Sequence, residues 1–424
     1  MRSATAGDVE TLTYSTVAVT LGLVVARPRI GPRFRLSPAV AALLGVAFLA
    51  AIGSVSLADV GGAAVTMWRP LVSILSIMLM TGVARRTGVL ASVADFVFAR
   101  GASSPAKLFA SVFAFGVVTA AVLNNDSAIL LLTPLVVDAA KKRHRTLVVP
   151  LAFAVFLSAG VAPLVVSNPM NMVVASVAGI GFNEYARYMV LPAAAAALVT
   201  FAMTYLLFRK TLGAATSALP VAPAVEPSSA SASATLNGRQ KLVLGSLAAV
   251  VLAYPIVSYA GGPVWTVAAG GAVFLLAVGS VLGQRPAEVA RREVHLDVLV
   301  FLVAVLVLSI GLRNVGLVDR LAHVYAGGSA FRIGAVSALG SAVLNNHPMG
   351  LLNMMALRGS GHGSVLAALV GGDLGPRLFP MGSLAGLLWL EMLRRAGVEV
   401  SVGRFVLVGA VATLPALAVC LLFF

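Results

Sequence analysis

Ala121-Val122-Leu123-Asn124-Asn125-Asp126-Ser127 is a polar break in a run that is otherwise apolar enough to sit in a lipid bilayer. It returns as Ala342-Val343-Leu344-Asn345-Asn346-His347-Pro348, with the first five residues identical. From 121 to 342 is 221 positions, about half of a chain of 424, so the sequence reads as two related halves that each carry one copy. Polar residues at membrane depth are costly and occur where function requires them. Two such breaks at corresponding places of two halves mark a solute site built from discontinuous helices near the bilayer midplane.

Composition supports the membrane reading. Hydrophobic residues make up 59% of the chain and charged residues 11%, against about 25% charged in a soluble domain. A soluble globular protein is excluded, and an all-α polytopic membrane protein is expected. The net charge of +15, from 30 Lys+Arg against 15 Asp+Glu, fits basic loops beside anionic lipid. A nucleic-acid partner would need basic and aromatic residues together on a soluble face, and the sequence offers none. Cys420 is the one cysteine, so neither an intrachain disulfide nor a multi-thiolate metal site is expected. No cleavable signal peptide is expected either, because Met1 to Glu10 are polar and the apolar run from Thr11 has no small-residue cleavage site before Arg27.

Apolar runs of about 17–25 residues read as spanning helices. Residues 1–35 form an N-terminal helix, Thr11–Ala26, and a loop whose Arg27, Arg29, Arg33 and Arg35 place it in the cytoplasm, leaving the N-terminus outside. The first half, 36–210, has spans at Leu36–Val55 and Thr66–Ala84 and an interfacial stretch over Val89–Phe98. Leu108–Asp138 is basic at both ends, with Lys107 before it and Lys141, Lys142, Arg143 and Arg145 after it. At roughly 31 residues it is too long for one span and too short for two with a loop. A re-entrant hairpin over 108–138 fits, with Asn124, Asn125 and Asp126 at its tip. Such backbone is tolerated at membrane depth only when buried in protein or lining a cavity. The overlong run over 148–179 is broken at Ser167-Asn168-Pro169, since proline removes a donor and clashes with the preceding turn. Met189–Phe208 closes the half.

Residues 211–240, rich in Ser, Ala, Pro and Thr, read as a flexible cytoplasmic linker. A connecting helix occupies 241–263. The second half, 264–424, repeats the order: spans at Val264–Leu282 and Leu296–Leu312, an outer loop to Arg332, a hairpin over 333–357, a broken helix over 364–393, and a last helix, Phe405–Phe424, running outward. The total is about ten transmembrane helices plus two re-entrant hairpins. Charge placement starts the first half inside and the second outside, which makes two inverted-topology repeats with both termini outside.

Broken helices leave amides free at N-termini and carbonyls free at C-termini, all near one site. Asn124, Asn125, Asn345 and Asn346 add side-chain amides that both donate and accept, and Ser127, Ser167, Asn168, Asn171 and Ser383 add more. This set suits a small, hydroxyl-rich, uncharged solute. The other reading of each is a helix cap. Asp126 and Asp373 are the carboxylates placed well inside the membrane elements, and each is a candidate proton carrier; Asp373 also reads as the cap of a Gly-rich turn. His347 stands where the first half has Asp126, and it reads either as a titrating or solute-binding group or as packing. Glu391 reads as an ion-pair partner of Arg394 and Arg395, and Trp389 as packing. The five histidines, at 144, 295, 323, 347 and 362, show no ligand spacing and no nucleophile–base pair, so no metal, cofactor or enzymatic activity is expected.

Asn125-Asp126-Ser-Ala-Ile-Leu-Leu-Leu-Thr-Pro134 resembles the signature of the ArsB arsenite efflux permeases, of the ion transporter superfamily. Gly372-Asp-Leu-Gly-Pro376 with Pro380-Met-Gly-Ser-Leu384 and Leu388-Trp389 does so more specifically, and Ser167-Asn168-Pro169-Met-Asn171 is similar to the family's first broken-helix motif. The resemblance is weakest at 1–35 and 211–240. It implies export of arsenite, and of antimonite, across the bacterial cytoplasmic membrane in exchange for protons. It implies a scaffold that often forms a homodimer, a mobile domain of hairpins and broken helices, and, in some relatives, a soluble ATPase partner. Some members carry Cys where this chain has Gly372. With one thiol, arsenic here would travel as its trihydroxy acid, held by hydroxyl and amide hydrogen bonds. A sodium/proton antiporter on the same fold is the alternative.

Overall fold

The computed structural model describes residues 6–30, 34–101, 103–143, 145–217 and 236–424. Among these, the chain is nearly all helical. In order, the helices are α1 Ala6–Ala26, α2 Pro38–Ala51, α3 Leu57–Arg86, α4 Val89–Gly101, α5 Pro105–Leu123, α6 Asn125–Arg143, α7 Val148–Ser158, α8 Pro169–Ala178, α9 Phe182–Ser217 and α10 Gly238–Tyr259. Then follow α11 Val264–Val281, α12 Pro286–Glu293, α13 Leu296–Asn314, α14 Leu317–Tyr325, α15 Ala330–Leu344, α16 Asn346–Ala356, α17 His362–Leu374, α18 Leu384–Arg395 and α19 Val402–Leu421. The strand content is one antiparallel pairing of Arg29–Ile30 with Phe34–Arg35.

Among the described residues, eight helices are long and apolar enough to cross a membrane: α1, α3, α5, α9, α10, α11, α13 and α19. Seven of these are spans expected from the sequence, and the eighth, α5, is the first arm of the first hairpin. The other three expected crossings are made of shorter pieces. Two are the broken helices; the third is α2, at 14 residues, or about 21 Å at 1.5 Å per residue. Ser37 caps α2, and Gly53, at φ +74°, ends it before Val55.

Local chemistry moves several boundaries. Ser56 and Asp59 form a capping box, so α3 begins at Leu57 rather than at Thr66. The first hairpin has two 19-residue arms, over 105–143 rather than 108–138. The expected outer loop before the second hairpin contains the amphipathic helix α14. α9 runs to Ser217, into the expected linker, of which residues 218–235 lie outside the described residues. Arg33 and His144 also lie outside them.

The order hairpin, broken helix, long helix occurs twice, as α5–α9 and as α15–α19. The first arm of each hairpin packs on the first piece of its own half's broken helix, α5 on α7 and α15 on α17. The second arm packs on the second piece of the other half's broken helix, α6 on α18 and α16 on α8. One core contains the N-terminal half of α9 and the C-terminal end of α19, while the other contains the C-terminal half of α9 and the N-terminal half of α19. These two helices pack together, so they run antiparallel, as the last helices of inverted repeats must.

Glycine sets the closest of these contacts. A Cβ at Gly371 would lie 2.2 Å from the Gly334 carbonyl oxygen and 2.8 Å from Ser337 Cβ, so α17 meets α15 nearly backbone to backbone. Gly371→Ala is expected to destabilise the protein by about 1–3 kcal/mol. Gly363→Ala, on the same helix with nothing within 4 Å of the new Cβ, is expected to leave it unchanged or slightly more stable. Thermal unfolding of both variants in detergent checks the pair.

Candidate functional site

Each hairpin turns at the first asparagine of its pair. Asn124 has φ +117° and Asn345 φ +84°, and both lie outside the glycines that usually take such angles. Asn124 Oδ1 accepts from the Ser127 N–H at 2.8 Å, and Asn345 Oδ1 accepts from the His347 N–H at 3.3 Å. Each side chain thus caps the arm that follows. Asn345 Nδ2 also donates to the Met381 carbonyl at 3.2 Å, tying the second hairpin to the second break.

The breaks are built alike. Asn168 precedes Pro169 and caps α8, accepting from the Met170 N–H at 2.9 Å. Ser383 caps α18, accepting from the Gly386 N–H at 2.9 Å. Ser167 Oγ donates to the Ala121 carbonyl at 2.7 Å and fastens the first break to the first hairpin. Ser167, Asn345 and Ser383 line none of the cavities described below.

Asp373, in the last turn of α17, reaches across to the other half. Its carboxylate accepts from Asn168 Nδ2 at 2.6 Å, from Asn171 Nδ2 at 2.9 Å and from the Ala162 N–H at 2.9 Å. Asn171 Nδ2 also donates to the Tyr185 hydroxyl at 2.7 Å, which donates to the Ala162 carbonyl at 3.2 Å. Beside this carboxylate is a small pocket of about 10 Å³, lined by Asn168, Asn171, Asn346, Asn353, Gly372 and Asp373 with apolar neighbours. Asn346 Oδ1 is buried there without a hydrogen-bond partner. Asn353 is fixed by the Tyr325 hydroxyl, which donates to it at 2.6 Å, and by its own bond to Ser337 Oγ at 2.7 Å. Gly372 leaves room, since a Cβ would meet nothing closer than 3.8 Å.

Larger cavities flank the pocket. One of about 490 Å³ contains Asn124, Asp126, Ser127 and His347, and its rim carries Arg27, Arg85, Glu293, His295 and Asp297. Arg85 pairs with Glu293 there, and Arg86 with Glu288 at 3.1 Å. Asp126 has no hydrogen-bond or ion-pair partner among the described residues; burial is what acts on it. His347 sets its ring against Phe301, with centroids 6.0 Å apart, and its Nδ1 lies 3.3 Å from Asn345 Oδ1. Another cavity, of about 560 Å³, has Asp59, Arg313, Arg358 and His362 among its lining and shares Val174, Met354, Leu357 and Val365 with the small pocket. Asp59 pairs with Arg313 at 3.4 Å, and Glu184 with His362 at 2.6 Å. The Ser56 N–H and hydroxyl also donate to the Asp59 carboxylate, at 2.9 and 2.7 Å. A third cavity, of about 170 Å³, is lined by Asn125, Thr200 and Arg377.

Sequence reading passed over Arg377, Tyr185 and Asn353. Arg377 left a signal: a single charge between Pro376 and Pro380 in an apolar stretch. Tyr185 and Asn353 left none, because nothing in their neighbourhoods sets them apart from surface or packing residues. Among the described residues no group of three His, Cys, Asp or Glu is placed to hold a metal ion.

The model of the ArsB family, described as arsenical pump membrane protein, matches residues 14–424. The chain belongs to this family. An arsenical pump membrane protein of Escherichia coli is 29% identical over 398 residues, covering 90% of this chain and 91% of its own. That of Yersinia enterocolitica is 29% identical over 376 residues, covering 84% and 85%. A putative arsenical pump membrane protein of Bacillus subtilis is 27% identical, covering 88% and 90%. The crystal structure of the Alcanivorax borkumensis YdaH transporter, described as having an unusual topology, superposes with a TM-score of 0.56 at 18% identity, over 98% of this chain and 96% of that one. At that identity the likeness extends to the fold alone. The ArsB-family chain described here is thus a multi-pass membrane transport protein.

Asp373→Ala strands two side-chain amides and a backbone N–H in the interior. It is expected to cost on the order of 3 kcal/mol, read as a lowered midpoint of thermal unfolding in detergent. Asp126→Asn breaks no bond and is expected to keep the wild-type midpoint.

Proposed function

We propose that this protein is a secondary transporter that exports arsenite, and antimonite, across the bacterial cytoplasmic membrane in exchange for protons, by alternating access. The observation that carries the reading is the pocket beside Asp373, where both broken helices and the second hairpin meet between cavities on two faces. Its lining offers amides, a carboxylate and small residues, a donor and acceptor set for a neutral trihydroxy acid. At about 10 Å³ it has room for little more than one water, so solute enters as the hairpins and breaks move against the rest. Asn168, Asn346 and Asp373 contact the solute from the pocket; Asn171 joins them, and Gly372 gives clearance. Asn124, Asn345, Ser167 and Ser383 hold the frame.

Asp126 carries the proton. It faces a cavity on the arginine-rich side and accepts no hydrogen bond, whereas the Asp373 carboxylate is occupied by three donors. Ser127 and His347 share the Asp126 cavity and guide solute or proton through it. The side bearing Arg85, Arg86, Arg291 and Arg292 faces the cytoplasm by the positive-inside rule. Residues 36–210 and 264–424 are the two inverted repeats, joined by the linker and connecting helix.

Everted membrane vesicles with an acidic interior test the reading. Arsenite uptake is expected in the wild type with and without Na⁺. Asp126→Asn is expected to abolish uptake, while the pocket variant Asn346→Ala raises KM about tenfold. Proton-driven uptake that survives in Asp126→Asn moves the coupling to another group. Collapse of the pH gradient on adding Na⁺, without arsenite uptake, overturns the assignment in favour of a cation antiporter.

A further inference from the structure

The second asparagines of the two pairs face different cavities. Asn346 lines the pocket of Asp373, and Asn125 lines the 170 Å³ cavity that holds Arg377. Arg377 is 3% exposed, in the 3₁₀ turn that follows α17. Its Nη2 donates to the Leu157 carbonyl at the end of α7, and its Nη1 donates to Thr200 Oγ1 at 3.4 Å. A Cβ at Gly160 would lie 2.5 Å from Nη2, so the guanidinium packs directly on the backbone of the first break. Asp373 is the opposite charge acting on it, but that carboxylate spends its oxygens on Asn168, Asn171 and Ala162. No ion pair joins Arg377 to a carboxylate among the described residues, and its Nε is buried without a hydrogen-bond partner.

A buried guanidinium costs a great deal unless its charge is matched and its donors are filled. Arginine has five N–H donors, and two are used here. Thr200 accepts from Arg377, which leaves its own O–H free to donate into the same space. Asn125 gives its Nδ2 to the Gly160 carbonyl at 2.8 Å and keeps an amide oxygen, an acceptor for a protonated oxygen. Apart from Ser158, whose hydroxyl donates to the Val155 carbonyl at 2.8 Å, the remaining side chains of the lining are apolar, among them Val117, Val161, Val190 and the alanines of α5 and α9. A mostly apolar cavity with surplus donors around one fixed positive charge suits a small monovalent anion and repels cations.

We propose that the Arg377–Thr200–Asn125 cavity is a second site, separate from the Asp373 pocket, that binds one small inorganic monoanion, either a resident halide or the deprotonated form of a hydroxyl-bearing solute. The Asp373 carboxylate takes three amide hydrogen bonds on one side, and the unfilled donors of the Arg377 guanidinium take the anion on the other. This site goes beyond the transport reading and does not rest on it.

The test is equilibrium dialysis of the purified full chain in detergent against radiolabelled chloride in otherwise halide-free buffer. The expected result is one saturable chloride per chain, about tenfold weaker in Thr200→Val and lost in Arg377→Gln. Bromide replacing chloride in crystals should give an anomalous peak beside the guanidinium. Arsenite that displaces chloride only at a pH where the acid is ionised identifies the solute anion as a ligand; no displacement at any pH identifies a resident halide, and both support the site. Monodisperse wild type without saturable chloride binding overturns it, as does binding that both variants leave unchanged. If Arg377→Gln does not fold, the wild-type titration, Thr200→Val and the bromide peak decide.

Discussion

Asp373 holds the two halves together at the point where both lose their helical hydrogen bonds. A break in a membrane helix frees amides and carbonyls that lipid cannot satisfy, and each must find a partner inside the protein. The first break meets this need with a carboxylate from the second: Asn168, Asn171 and the Ala162 N–H all donate to it. Arg377 makes a second connection in the same direction, reaching the Leu157 carbonyl where α7 ends. The second half thus sends one charged side chain of each sign into the first, both from the same short segment. That segment, 371–383, is also where glycines bring α15 and α17 nearly into backbone contact.

This arrangement gives the repeated asparagine pair a division of labour. The first member takes a positive φ and caps the arm that follows, a local task that is identical in the two halves. The second member begins that arm and projects into a cavity whose chemistry differs between halves, cationic around Asn125 and anionic around Asn346. The next position diverges outright, to Asp126 and His347, and both side chains meet in the cavity on the arginine-rich side. The turn geometry is common to the two halves, and the difference in polarity lies at these few positions.

Much of the architecture was legible in the sequence because hydropathy and arginine placement report directly on cost. A span must be apolar over its length, so seven of the eight long helices stood out. A polar run inside one had to be a break, and helices are interrupted at Asn124, at Asn345, before Pro169 and before Leu384. Boundaries were less legible. The capping box of Ser56 and Asp59 carried α3 outward past polar residues, and the last turns of α9 entered a segment whose composition suggested a linker. Hydropathy does not register caps, and helix ends depend on them.

Sequence alone determined the fold class and the short list of polar residues at depth, because each follows from energy terms local to a segment, and its repeated and signature motifs pointed to the two halves and to the family. Only the tertiary structure decided what each of those residues does. Asn124 and Asn125 are adjacent and identical, yet one caps the arm that follows it and the other holds the Gly160 carbonyl beside Arg377. Asp126 is a half-buried carboxylate and Asp373 a buried one, yet among the described residues the first has no partner and the second has three. The physical reason is that a polar group in a low-dielectric interior takes its role from the donors and acceptors within hydrogen-bond reach. Here those partners come from the opposite half of the chain, 202 positions away for the bond between Asn171 and Asp373.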